Sequence, residues 1–99
     1  MFARVSTFRG PVDQTSEGIR VAREQILPAA RLQDGFRGIY ILFDRSRGES
    51  LAVTLWDTEE DLRASEEAAL RARTESAEIS GEAIVGVRRY EVAMRELLD

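Results

Sequence analysis

The chain contains no cysteine, histidine, lysine or asparagine. Without cysteine there are no disulfides, no thiolate nucleophile and no sulfur-ligated zinc or iron–sulfur site. Without histidine it lacks the commonest general base near neutral pH, the commonest zinc ligand and the usual proximal haem ligand. Without lysine, Schiff-base chemistry has no amine. All 14 basic residues are arginine; a GC-rich coding sequence alone would produce the same bias. Long apolar runs are also missing. The longest, Ile39 to Phe43, is far short of the roughly 20 residues of a membrane-crossing helix. Met1 to Gly10 carries Arg4 and Arg9 but no apolar stretch of a secretory signal.

What is present fits one globular domain spanning residues 1–99. Of the 99 residues, 43% are apolar and 32% charged, which separates the chain from disordered sequences. The net charge is −4, and the arginines are scattered, with Arg45/Arg47 and Arg88-Arg89 the densest groups. Nucleic-acid backbones and anionic membranes require clustered positive charge. Neither is expected as a partner, and the expected location is cytoplasmic.

The apolar periodicity alternates in type along the chain. Phe2 to Phe8 reads as a strand closed by Gly10-Pro11. A helix follows from about Thr15, with Ile19, Ala22, Ile26 and Ala29 or Ala30 on one stripe. Asp13, Thr15 or Ser16 are its candidate caps. Pro28 cannot donate to Glu24 and crowds the preceding turn, so a kink is expected, or a break with Pro28 opening a further helical segment. Phe36 to Asp44 and Leu51 to Trp56 form a hairpin across Arg45–Gly48. Thr58-Glu-Glu-Asp61 resembles a capping box and opens a second helix. Glu59–Arg63 and Glu67–Arg71 are i, i+4 pairs. Its buried stripe is read as Leu62, Ser65, Ala69 and Ala72, with Ala68 beside them. That stripe is mostly small and permits either close approach to a sheet or a space above it. Ile84 to Ala93 is the fourth strand.

The order β-α-β-β-α-β defines an α+β, ferredoxin-like fold with both helices on one face and sheet order 4-1-3-2. Strands two and three are apolar at both parities. One set is Phe36, Tyr40 and Leu42, the other Ile39, Ile41 and Phe43. A single-layer helix cover would leave one apolar face wet. The simplest cover is the same face of a second copy, hence an expected homodimer.

The order of elements, Leu27-Pro28 leading to Asp34-Gly35-Phe36-Arg37-Gly38, and the turn Leu55-Trp56-Asp57-Thr58-Glu59-Glu60-Asp61-Leu62 together resemble the antibiotic biosynthesis monooxygenase-like (ABM) dimeric α/β barrels, over about Phe2 to Ala93. The resemblance implies a dimeric barrel and a small-molecule cleft. It does not by itself fix an activity, because the group holds cofactor-free oxygenases, haem-degrading enzymes, isomerase-like proteins and members of no known role. Haem-degrading members carry an Asn on the first strand and a Trp and a His at the second helix. This chain has neither Asn nor His, and Ser65 stands near the Trp position. The quinone-forming members use no metal or flavin, and the resemblance implies no cofactor here.

The candidate ligand-binding residues are Trp56, Tyr90, Thr54, Arg88, Tyr40 and Ser6. Trp56 would stack a small aromatic ligand; the alternative is a core or interface anchor with its indole N–H satisfied. Tyr40 and Tyr90 are either oriented phenols or half-buried strand residues. Thr54 shares a face with Trp56, and Arg4 shares one with Ser6. Arg88 and Arg89 have opposite parity, so at most one points inward, where it would hold an oxyanion. Glu59, Glu60, Glu66 and Glu67 read as a solvated helix face. No residues have the spacing of a metal site. Two functional readings stand: a cofactor-independent monooxygenase-like protein acting on a small aromatic or polyketide-like molecule, and a non-catalytic binding or structural homodimer.

Overall fold

A computed structural model describes residues 1–10 and 15–98. The elements are β1 (Phe2–Arg9), α1 (Thr15–Val21), a π-helical turn (Ala22–Ile26), α2 (Leu27–Arg31), β2 (Phe36–Asp44), β3 (Glu49–Trp56), α3 (Glu59–Ala64), α4 (Glu66–Ser80) and β4 (Ala83–Glu91). The four strands form one antiparallel sheet in the order β2-β3-β1-β4, as the connection rules require. Among the described residues no helix is long and apolar enough to cross a membrane. The proposed cap Asp13 lies outside the described residues, as do the side chains of Thr15 and Ser16.

The expected disturbance at Pro28 takes the form of a π turn. Leu27 N–H bonds to the carbonyl of Ala22, five residues back, and Pro28 sits in the first turn of α2. Widening one turn moves the chain past the carbonyl that the proline ring would crowd, and no donor is needed from Pro28. The second helix divides at Ser65 into α3 and α4. Thr58 caps α3, its side chain accepting from Asp61 N–H at 3.0 Å. Gly81, at φ 74°, ends α4 with its N–H on the carbonyl of Ala77, a left-handed position where glycine pays no Cβ penalty. Both expected i, i+4 pairs, Glu59–Arg63 and Glu67–Arg71, form on the exposed side.

Strand register assigns the two sheet faces. Arg4, Ser6 and Phe8 share a face with Thr54, Ala52 and Ser50, and with Ile39, Ile41 and Phe43. This face meets the helices. Ala3, Val5 and Thr7 share the other with Leu55, Val53 and Leu51, and with Tyr40 and Leu42. Simple alternation placed Phe36 with Tyr40 and Leu42. The register shift between Phe36 and Gly38 moves it across, pairing Phe36 with Trp56, because Arg37 is the extra residue of a bulge. Arg37 instead projects outward and forms a two-pronged pair with Asp57. Gly35, at φ +78°, makes the turn just before this bulge. A Cβ there would lie 2.1 Å from Asp61 Oδ2, so the strand can start this close to α3 only with glycine.

Candidate functional site

Between sheet and helices the residues are small on both sides. Ser6 and Ala52 face Ala29 and Ala30 of α2 and Ala68, Ala69 and Ala72 of α4. Close-packed interiors fill such space with side chains, and short ones leave it open. The result is a small cavity of about 40 Å³ that opens to the surface. Its floor is Arg4, Ser6 and Phe8 from β1 and Ala52, Thr54 and Trp56 from β3; Ile26, Gln33, Ser65 and Arg73 complete the walls.

Trp56 forms one end and is 1% exposed. Phe36 meets it edge-on with ring centres 5.5 Å apart. The Arg4 guanidinium carbon lies 5.5 Å from the ring centre, a cation–π contact. Its indole Nε1 donates to Thr54 Oγ1 at 3.0 Å. Thr54 therefore acts as an acceptor inside the protein and keeps its own O–H to donate. The Ser65 hydroxyl is fully used, accepting from Arg4 Nη2 and donating to the carbonyl of Leu62.

Arg4 is the best-fixed polar group. It is 3% exposed, and its Nη2 reaches the carbonyl of Leu62 and Ser65 Oγ, both at 2.8 Å, and Glu66 Oε1 at 3.0 Å. Its Nε is buried without a hydrogen-bond partner among the described residues. Glu66 also accepts two bonds from Arg89, at 2.9 and 2.6 Å. Hydrogen bonds from Arg89 and Arg4 hold the Glu66 carboxyl at about 2, against the desolvation that opposes them. Arg73 is buried in the cavity wall and has no hydrogen bond or ion pair among the described residues. Burial pushes both Arg4 and Arg73 below the usual guanidinium range, and in Arg73 the nearby charge of Arg4 adds to this. The lining offers a metal cation no carboxylate, thiolate or imidazole, and two guanidinium groups would repel one.

Of the six candidates, the structure gathers Trp56, Thr54 and Ser6 around this cavity. It places the other three on the opposite face. Tyr40 aligns with Val53, Arg88 with Val5 and Tyr90 with Ala3, all on the parity that faces away from the helices. Tyr40 and Tyr90 are 43% and 50% exposed. On β4 it is Arg89, aligned with Arg4, that takes the helix side. Glu66, expected in a solvated helix face, is instead half-buried and joins two strands to α4. Arg73 was missed. It lies eight residues beyond Ser65 and four beyond Ala69, on the same helical stripe, so extending that stripe one turn finds it.

No family model matches the chain. Two proteins of Mycobacterium tuberculosis are similar in sequence. Uncharacterized protein Rv2557 is 31% identical over 93 residues, covering 94% of this chain and 41% of its own length. Uncharacterized protein Rv2558 is 34% identical over 67 residues, 68% of this chain and 28% of its own. The chain thus spans about two fifths or less of the curated relatives it matches. Among solved structures, a candidate antibiotic biosynthesis monooxygenase of Deinococcus radiodurans superposes with TM-score 0.70 at 16% identity, over 100% of this chain and 99% of that one. HapK of Hahella chejuensis gives 0.71 at 8% identity, over 100% and 99%. SnoaB of Streptomyces nogalater, a cofactor-independent oxygenase, gives 0.65 at 14% identity, over 95% and 94%. The chain has the ferredoxin-like fold of the ABM proteins along its whole length.

Proposed function

We propose that this chain acts as a cofactor-independent monooxygenase on a small aromatic or polyketide-like molecule, bound in the cavity between sheet and helices. The observation that carries the reading is the cavity itself, with Trp56 at one end and the polar groups of Arg4, Ser6, Thr54 and Arg73 around it. A structural module would fill that layer with side chains. The fold of SnoaB supports the reaction class. In the simplest such reaction a phenol ionises and its carbon reacts directly with dioxygen. One oxygen atom stays as a new carbonyl, and the other leaves as water with the two hydrogens of the oxidised methylene. Dioxygen is the only oxidant. The cavity guanidinium groups stabilise the substrate anion.

The test is oxygen uptake with an anthrone-type phenol, without added metal or flavin. One dioxygen consumed per quinone formed is expected. Ala69→Leu, which fills the cavity, lowers the rate by about tenfold or more at unchanged far-ultraviolet dichroism, as expected when the reacting geometry is lost. Uptake no faster than in buffer selects the second reading, a non-catalytic binding protein. One observation favours that reading: the lining contains no carboxylate, imidazole or amine to take the phenol proton.

The working unit in either reading is a homodimer. The sheet face away from the helices carries Val5, Leu51 and Val53 beside Tyr40 and Leu42, and the last two are 43% and 47% exposed. A two-fold axis sets this face against its own copy. Native mass spectrometry is expected to give twice the chain mass of 11.1 kDa; a single-chain mass overturns the dimer.

A further inference from the structure

Two buried arginines border one cavity whose lining holds no acidic residue. Arg4 spends its contacts through Nη2 on Leu62, Ser65 and Glu66, and its Nε has no partner. Arg73, 8% exposed, has no hydrogen bond or ion pair among the described residues. Glu66 is the one carboxylate of this cluster, and it is shared by Arg4 and Arg89. Three guanidinium groups therefore face one carboxylate. Only Arg4 Nε is cut off from both partners and solvent among the described residues; the Arg73 nitrogens keep access to the cavity mouth, and like charges this close repel unless an anion lies between them. The rest of the lining is apolar or hydroxylic, with an aromatic end at Trp56.

We infer that the cavity takes an aromatic ligand bearing a carboxylate, with the carboxylate on Arg73 and the ring toward Trp56. The inference rests on the reading of this cavity as the ligand site and not on oxygen chemistry. A carboxylate has two in-plane acceptors and matches guanidinium donors without a geometric penalty. Ser6 and Thr54 keep hydroxyls to orient the ring substituents.

Calorimetry with 2-naphthoate and its neutral isostere 2-naphthamide tests the inference. The acid should bind about tenfold or more tightly than the amide, the size expected of one charge-assisted hydrogen bond. Arg73→Gln should bring the acid down to the level of the amide and leave the amide unchanged. Arg73→Lys should keep part of the preference. In thermal melts naphthoate should raise the Tm of the parent chain and not that of Arg73→Gln, which also shows that the variant is folded. Equal affinity for acid and amide overturns the carboxylate and leaves the cavity as a binding site. A preference that persists in Arg73→Gln overturns the role of Arg73. Binding of neither compound overturns the inference together with the site. A preference for the acid without oxygen uptake upholds the inference and removes only the oxygenase.

Discussion

Glu66→Gln should lower the unfolding free energy by about 2 kcal/mol at neutral pH, and the deficit should vanish in acid. Glu66 accepts two bonds from Arg89 and one close contact from Arg4. These hold its carboxyl at about 2, compared with 4.5 in a free chain. A shift of that size corresponds to roughly 3 kcal/mol, and partial exposure of the Glu66 side chain, 32%, reduces it. The reduction is moderate because Arg4 is only 3% exposed, so solvent replaces the lost anion poorly. The carboxyl binds its proton less readily when folded. Its contribution is therefore complete above the unfolded value near 4.5 and is lost as the pH falls through about 2. Urea denaturation of both chains at several pH values should show a constant gap above about pH 5 that closes toward pH 2. A gap of the same size at every pH would assign the loss to packing rather than to charge.

The environment of Glu66 is set by tertiary contacts and not by its local sequence. The order of elements, the hairpin, the Thr58 cap and the sheet order follow from periodicity, turn residues and connection rules, which act locally or on the whole topology. The cavity followed partly from the run of small residues on α4. The position of the charges did not. Nothing local distinguishes Glu66 from Glu59 or Glu67, because its neighbours are Arg4 and Arg89 from two different strands. Parity fixed that Arg88 and Arg89 oppose each other, but only the register with β1 decides that Arg89 joins Arg4. Phe36 takes the helix-side face for a similarly non-local reason: a bulge is one residue of backbone with no strong signature in Phe-Arg-Gly. Nothing local says which face Tyr40 and Tyr90 take, because aromatic side chains suit either face of a sheet.

Trp56→Ala should cost about 4 kcal/mol. The side chain is 1% exposed, and truncating a buried tryptophan removes its transfer free energy and leaves a void. Three further contacts go with it. Phe36 loses its edge-on partner, Thr54 loses a hydrogen-bond donor, and the Arg4 guanidinium loses the ring it lies over. The last adds most, because a cation–π attraction is strongest where the cation is desolvated. Opposing this, the void joins an existing cavity with an open mouth, so water enters and limits the cost. In a domain of this size, with roughly 5–15 kcal/mol in all, the variant is marginal at 37 °C. Trp56→Phe separates the contributions. It keeps a ring for Phe36 and Arg4 and gives up the N–H and part of the buried area, for about 1–2 kcal/mol. Urea midpoints for the two variants should therefore differ widely, with the phenylalanine chain much nearer the parent. Similar midpoints for both would mean that the indole N–H, and not the ring, carries the stability, and Thr54→Val would then cost as much as Trp56→Phe.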